Sequence, residues 1–268
     1  PIISFAAIAM WNWRIGWLAV AAVVLLVGIL PNIFLMIHRP EDVGLRPFSS
    51  RKSSKKKQNT LDKSLEGMEH SFTRREASRT RTFWILVIFS IFIYPVQAGV
   101  SLHQAPHLIE RGISLGVAAT AVSSFSFMSA IGGLVFGQFE LKFGARKSLS
   151  FAAALMAIGT LLMILVVDNL TAYISAMVFG AGIGGLMTLL PVAWADSFGR
   201  QHIGSIRGIT VPLQTLAQAS GPLISGSLYD LTGGYDAALR LFCVCSLIAM
   251  VMALFAVKPE VRIKETFR

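Results

Sequence analysis

The chain reads as an all-α, polytopic membrane helical bundle, and three observations predict it. Of its 268 residues, 54% are hydrophobic and only 14% charged. The mean hydropathy is +0.65. Seven uncharged runs of bilayer-crossing length follow one another along the chain, separated by polar breaks. This composition excludes a soluble globule and a disordered chain, because so much apolar surface cannot stay solvated. Two cysteines, Cys243 and Cys245, set in one apolar stretch, exclude a disulfide scaffold. The net charge of +10 would suit either nucleic-acid binding or membrane topology, and its placement decides between them.

Taken in order, the chain opens with an apolar stub at 1–10 that is too short to cross a bilayer. It lacks the basic start and small-residue cleavage site of a signal peptide, so it reads as the tail of a helix and the chain as a fragment. The spans follow at 17–37, 83–102, 115–137, 149–167, 170–194, 209–229 and 241–257, none containing Asp, Glu, Lys or Arg. The domain organisation expected from this is a leading part at 1–37, a polar loop at 38–82, a six-helix half at 83–257 and a tail at 258–268.

Lys and Arg fall on alternating breaks. The loop from Arg39 to Arg81 holds 12, the break at 142–147 holds 3, Arg200 and Arg207 make 2, and the tail from Lys258 holds 4. The other breaks hold only Arg14, Arg111 and Arg240. With 21 of 24 basic residues on one side, the long loop and the C-terminus are predicted to be cytoplasmic, in a plasma (inner) membrane. No nucleic acid is needed to account for the charge. Aromatic belts are expected from Trp11, Trp13, Trp17, Tyr173, Tyr229 and Tyr235 at the outer ends, and from Trp84 and Trp194 at the inner ones.

The polar loop carries the run R-K-S-S-K-K-K at 51–57, and its centre is predicted to be a solvated, disordered linker. Its end is different: Thr73-Arg-Arg-Glu76 is a capping box, which predicts a short helix leading into the second span.

Inside the spans, Gly133 and Gly137, Gly180 and Gly184, and Gly221 and Ser225 stand four apart on one face, where they permit close helix contact. Pro191, Pro212 and Pro222 offer places to bend. Gly180-Ala-Gly182-Ile-Gly184-Gly185 satisfies G-x-G-x-x-G, but it lies inside an apolar span without a preceding strand, so no dinucleotide site is read from it. Polar residues in a span are candidates for a solute path, since a polar side chain facing lipid is costly. These are Gln214 and Gln218, four apart, Tyr94 and Gln97, three apart beside Pro95, and Ser123 with Ser124 and Ser126. Hydrogen bonding between helices is the competing reading for the glutamines and the leading one for the serines.

His103, His107 and Glu110 have a spacing that could hold zinc from one helix face, but Pro106 is expected to disturb that helix, so a histidine pair without metal is read. His103 remains the local candidate for pH sensing. Cys243 and Cys245 read as packed thiols. No nucleophile–base pair, metal box or carboxylate pair stands inside the spans, so neither an enzyme nor a cofactor is predicted.

Four stretches carry a family resemblance: R-P-E-D-V-G-L-R-P at 39–47 with T-R-R-E-A-S-R-T-R-T-F-W at 73–84; G-Q-F-E-L-K-F-G-A-R-K at 137–147; A-D-S-F-G-R-Q-H-I-G-S-I-R-G at 195–208; and Q-A-S-G-P-L-I-S-G-S-L-Y-D-L-T-G-G-Y at 218–235. In these the chain resembles the C-terminal part of a major facilitator superfamily transporter, particularly the monocarboxylate and oxalate/formate-type branch. The resemblance implies that the stub ends helix 5, that the seven spans are helices 6–12, and that the basic loop joins two six-helix halves. It implies a secondary carrier working by alternating access on a small solute such as a small organic anion, inactive without the missing N-terminal half. Gln214, Gln218, Tyr94, Gln97 and Ser123 would line the substrate cavity. Asp196, Arg200 and Arg207, with Gly137, Gly144, Arg146 and Lys147 of the 137–147 loop, would gate it.

Two departures stand out. The loop motif's usual acid position holds Leu141, with Glu140 one earlier, which puts the usual charge latch in doubt. Neither the third nor the sixth span holds a cation, so an anion would lack its partner there. A seven-helix receptor is the alternative architecture. It lacks an acid-Arg motif at the inner end of the third span and any Asn-Pro or retinal-bearing Lys in the last.

Overall fold

A computed structural model of the chain describes residues 12–35, 71–257 and 259. The expectations for the stub, for the linker centre with its basic run, for the 39–47 stretch and for most of the tail lie outside the described residues.

The leading unit is one apolar rod. Helix α1 (Trp13–Val23) is capped by Asn12, whose side chain accepts from the Ile15 amide at 3.1 Å. It continues through a π-helical stretch at Val24–Ile29 into α2 (Leu30–Leu35). Pro31 lacks an amide and its ring crowds the preceding turn, so a widened turn ahead of it is the expected relief. Asn32 donates its side-chain amide to the Gly28 carbonyl at 2.8 Å in that turn.

The second unit begins with the predicted capping box. The Glu76 amide donates to Thr73 Oγ1, and Glu76 Oε2 accepts from the Thr73 amide at 2.9 Å, starting α3 (Arg74–Ala77). Six long helices follow: α4 (Arg81–Glu110), α5 (Leu115–Phe143), α6 (Ala145–Ile164), α7 (Asn169–Phe198), α8 (Ile203–Thr232) and α9 (Asp236–Phe255). The links between them are at most four residues, so neighbours run in opposite directions. Four of those links use glycine at positive φ, Gly112, Gly144, Gly199 and Gly233, a conformation other residues rarely adopt. Gly144 is the entire link between α5 and α6.

Packing follows a two-fold rule. α4 packs mainly on α8 and α9, α7 packs mainly on α5 and α6, and α6 meets α9. Exchanging the triplet α4–α5–α6 with α7–α8–α9 reproduces that set, and the triplets run in opposite senses, as in an inverted repeat. Glycine sets the closest seams. A Cβ on Gly184 would collide with the Ser129 carbonyl on α5, and one on Gly221 with the Pro95 carbonyl on α4. Gly137, expected to share such a face with Gly133, meets nothing within 4 Å; the close approach there belongs to Gly132, against Ala181. Thr82 donates to the Val257 carbonyl, and Ser150 Oγ to the Met250 carbonyl at 2.9 Å, tying α4 and α6 to the end of α9.

Three more expectations are corrected. α4 is continuous through Pro95 and Pro106, because proline removes only one donor per site and the helix is held by neighbours on both sides. Trp194 is not an interfacial belt residue: it is fully buried, packed against Phe83 and Phe198 with ring centroids 5.6 and 5.7 Å away. Trp84 does sit exposed, its indole N–H donating to the Ser78 carbonyl at 3.0 Å. Among the described residues, six helices rather than seven are both long and apolar enough to cross a membrane. The exception is α8, which at 30 residues has the length but is more polar. Two of its polar side chains, Gln214 and Gln218, are bonded to α4.

Basic residues gather at one end of this unit: Arg74, Arg75, Arg79, Arg81, Lys142, Arg146, Lys147, Arg200 and Arg207 flank the starts of α4, α6 and α8. Arg111 and Arg240 lie at the opposite end, where Arg111 pairs with Asp236 at 2.5 Å. At that end Asp168 caps α7. Its carboxylate accepts from the Thr171 amide at 2.8 Å, and Thr171 Oγ1 accepts from the Asp168 amide at 3.1 Å. The backbone bond from Thr171, then that residue's side-chain bond, hold the Asp168 carboxyl below its ordinary range. This stabilisation is present above the unfolded pKa and is lost as pH falls through the folded one. Thermal unfolding in detergent should therefore show a stability loss on acidification that is smaller in Asp168→Asn; an identical pH profile would refute the assignment.

Candidate functional site

The candidate site is the seam between α4 and α8. On α8, Arg207, Thr210, Gln214, Gln218, Gly221 and Ser225 are spaced by three or four, and so share one face. Thr210, Gln214, Gly221 and Ser225 are buried, whereas Leu216 and Leu223 on the opposite side are exposed. This inverts the pattern of a soluble amphipathic helix: in a membrane the polar stripe turns inward and the apolar face outward.

Across the seam α4 presents Ser90, Tyr94 and Gln97, again spaced by four and three. Gln214 Nε2 donates to Ser90 Oγ at 3.3 Å, and Gln218 Nε2 donates to Gln97 Oε1 at 3.0 Å. Both glutamines thus avoid lipid and join the two helices. Tyr94 is half-buried on the same stretch of α4 and packs against the core. Ser123 is not brought to this seam. It lies on α5, which packs on α7, and its hydroxyl donates to the Ala119 carbonyl at 2.9 Å. Ser124 and Ser126 likewise donate to Ala121 and Val122 of their own helix, the usual use of serine in an apolar helix.

Sequence reading missed two members of the seam. Ser90 stands four before Tyr94 and seven before Gln97, a spacing visible in the sequence. Thr210 stands four before Gln214; its hydroxyl is buried with no hydrogen-bond partner. With Val87, Ser90, Ile91, Leu213 and Gln214 it lines a crevice too narrow for a water molecule.

The expected gate residues separate into two groups. Gly144 makes the α5–α6 turn, with its amide donating to the Glu140 carbonyl at 2.8 Å, and Arg146 and Lys147 lie exposed in the first turn of α6. Gly137 lies open on α5. Asp196 and Arg200 are exposed at the α7–α8 link, with no ion pair between them among the described residues. Glu140 is half-buried and lies within electrostatic reach of Asp196, so the displaced acid of the 137–147 loop meets a like charge rather than a basic partner. A segment that sequence reading did not single out braces this corner. The Phe72 amide donates to the Phe198 carbonyl at 2.9 Å, and Ser71 Oγ accepts from the Gln201 amide at 3.1 Å.

His103 and His107 are each turned to a backbone carbonyl. His103 Nδ1 lies 3.0 Å from the Gly99 carbonyl and His107 Nε2 lies 2.9 Å from the Met163 carbonyl, and both rings pack on Tyr235. No cluster of His, Cys, Asp or Glu able to hold a metal occurs among the described residues. Cys243 and Cys245 are free, and Cys243 Sγ points at the Ala157 carbonyl 3.6 Å away.

Curated relatives are transporters by name. The aspyridones efflux protein apdF of Emericella nidulans is 29% identical over 165 residues, 61% of this chain and 32% of that protein. Human monocarboxylate transporter 14 is 33% identical over 85 residues, 31% of this chain and 16% of its own length. Human monocarboxylate transporter 12 is 25% identical over 179 residues, 65% of this chain and 34% of its own. The chain thus spans about a third or less of each. The model of the Major Facilitator Superfamily matches residues 99–268, from the middle of α4 onward, and with more than half of its length matched the chain belongs to that superfamily.

Proposed function

We propose that α3–α9 form one half of a secondary carrier that moves a small organic solute by alternating access, and that the α4–α8 seam lines its path. The observation that carries the reading is the inward polar stripe of α8, bonded to α4 through Gln214–Ser90 and Gln218–Gln97. Two side-chain amides that exchange hydrogen bonds with each other can exchange them with a solute at little cost, which a purely apolar seam cannot do. In this reading the basic end faces the cytoplasm of a plasma (inner) membrane, following the bias of basic residues. The solute is a small organic anion such as a monocarboxylate, a class named in the relatives monocarboxylate transporter 12 and 14.

The partner is a second six-helix half. α5 and α8 leave Leu115, Phe127, Leu134, Leu216 and Leu223 exposed at 63 to 78%, apolar flanks that another bundle or lipid would cover. The chain alone is then inactive, because one half cannot close a path on both sides. Labelled lactate uptake into proteoliposomes tests this. Vesicles holding the chain alone should stay at background, and vesicles holding it within a two-half carrier should show saturable uptake. In the latter, Gln218→Leu should lower kcat/KM about tenfold or more, the loss expected when a polar site is left unpaired. Unchanged uptake in Gln218→Leu and Gln97→Leu would reduce the seam to helix packing.

A further inference from the structure

We infer that the elbow between α3 and α4 is a docking surface for anionic phospholipid headgroups, which Arg74, Arg75, Arg79 and Arg81 hold. Residues 73–81 contain these four arginines and one acid, Glu76. That acid is engaged in the capping box, where its Oε2 accepts from the Thr73 amide and from Thr73 Oγ1, both at 2.9 Å. All four arginines are exposed, and among the described residues the ion pair is Arg111–Asp236, at the other end. The second basic corner is made differently. Lys142, Arg146 and Lys147 around the α5–α6 turn are equally exposed, but Glu140 precedes them within electrostatic reach of Asp196, and these two carboxylates offset part of the positive charge.

Depth in the bilayer also marks the elbow. Trp84, Ile91, Leu102 and Ile109 are spaced by seven, eleven and seven, so they share one face of α4, and all four are exposed. This is the face that α4 offers to acyl chains. Trp84 ends it on the elbow side, with its indole N–H donating to the Ser78 carbonyl at 3.0 Å, so the ring is tied back to the turn itself. An indole with an apolar body and a bonded N–H settles at the membrane–water boundary. Arg81 lies three residues beyond it, about 4.5 Å along the helix axis, and Arg79, Arg75 and Arg74 follow through the turn. That is headgroup depth. A guanidinium fork takes two phosphate oxygens, and a zwitterionic lipid brings an ammonium that the four arginines repel, so net-anionic lipid is selected. The inference needs only a membrane-embedded chain and is independent of the carrier reading.

The experiment is thermal unfolding of the full chain in detergent, titrated with phosphatidylglycerol, with phosphatidylcholine or with inorganic phosphate. Phosphatidylglycerol should raise Tm, and the other two should not. Removing one arginine should raise the half-saturating phosphatidylglycerol fraction about fivefold, and the combined Arg74→Gln, Arg75→Gln, Arg79→Gln chain should lose most of the response. Lys142→Gln, Arg146→Gln and Lys147→Gln together remove as many charges and should shift it less than twofold. An unchanged response in the arginine triple overturns the inference, as does equal stabilisation by phosphatidylcholine. Equal loss in the two triples overturns it by showing diffuse attraction to the whole basic end, and an equal Tm rise with inorganic phosphate does so by identifying a soluble-anion contact. Should the arginine triple unfold without lipid, Arg79→Gln against Arg79→Lys decides: the lysine chain keeps more of the response, and equal responses in both and in the unsubstituted chain refute the docking surface.

Discussion

Gly184→Val should prevent the six-helix half from packing, whereas Gly137→Val should leave it intact. Both residues sit in long apolar helices, and both look in the sequence like members of a small-xxx-small pair. At Gly184 a Cβ would land on the Ser129 carbonyl oxygen, with the Gly133 amide 2.6 Å away. These are backbone atoms of α5, which cannot turn aside as a side chain could, so α5 and α7 must separate along the main seam of the bundle. Overpacking of this kind costs about 3 kcal/mol. At Gly137 nothing lies within 4 Å, and a larger side chain meets open space. Thermal unfolding and size-exclusion profiles in detergent, compared for the two variants, check the pair. Equal stability would show that the α5–α7 seam is not set by Gly184.

Trp194→Ala comes second in expected effect, at about 3 to 5 kcal/mol, and Trp84→Ala should cost far less. Trp194 is fully buried and makes contacts with Phe83 at 5.6 Å and Phe198 at 5.7 Å, while Phe198 in turn holds Phe72 edge-on at 5.9 Å. Removing the indole empties the centre of an aromatic cluster that joins the starts of α3 and α4 to the end of α7. Trp84, by contrast, is 54% exposed and keeps one indole bond to the backbone. Tm in detergent should separate the two clearly; a Trp194→Ala chain as stable as Trp84→Ala would show that the cluster contributes nothing to holding α7.

The helices were legible because each bilayer crossing demands an uncharged run, and such runs are counted one residue at a time. The Thr73–Glu76 box was legible for a similar reason: its hydrogen bonds span only three residues. The candidate site was legible in part. Gln97, Gln214 and Gln218 stood out as polar groups in apolar runs, but their pairing did not, and Ser90 is unremarkable until α4 and α8 are laid side by side. Arg207 was misplaced because the charge scan ends a span at the first cation, while a helix continues wherever its backbone bonds can form. Ser123 lies on α5, outside the α4–α8 seam, with its hydroxyl bonded to its own helix.

The sequence by itself determined an all-helical membrane chain of the major facilitator superfamily, with its basic residues on one set of links, because spans, caps and charge bias are local quantities. Only the tertiary structure decided which glycine faces a backbone and which faces open space, that Trp194 is core and Trp84 surface, and that Arg207 lies inside a helix and half-buried. Those are decided by which helix lies opposite, and residues more than a hundred positions apart, such as Gln97 and Gln218, acquire their roles only when packing brings them within hydrogen-bond distance.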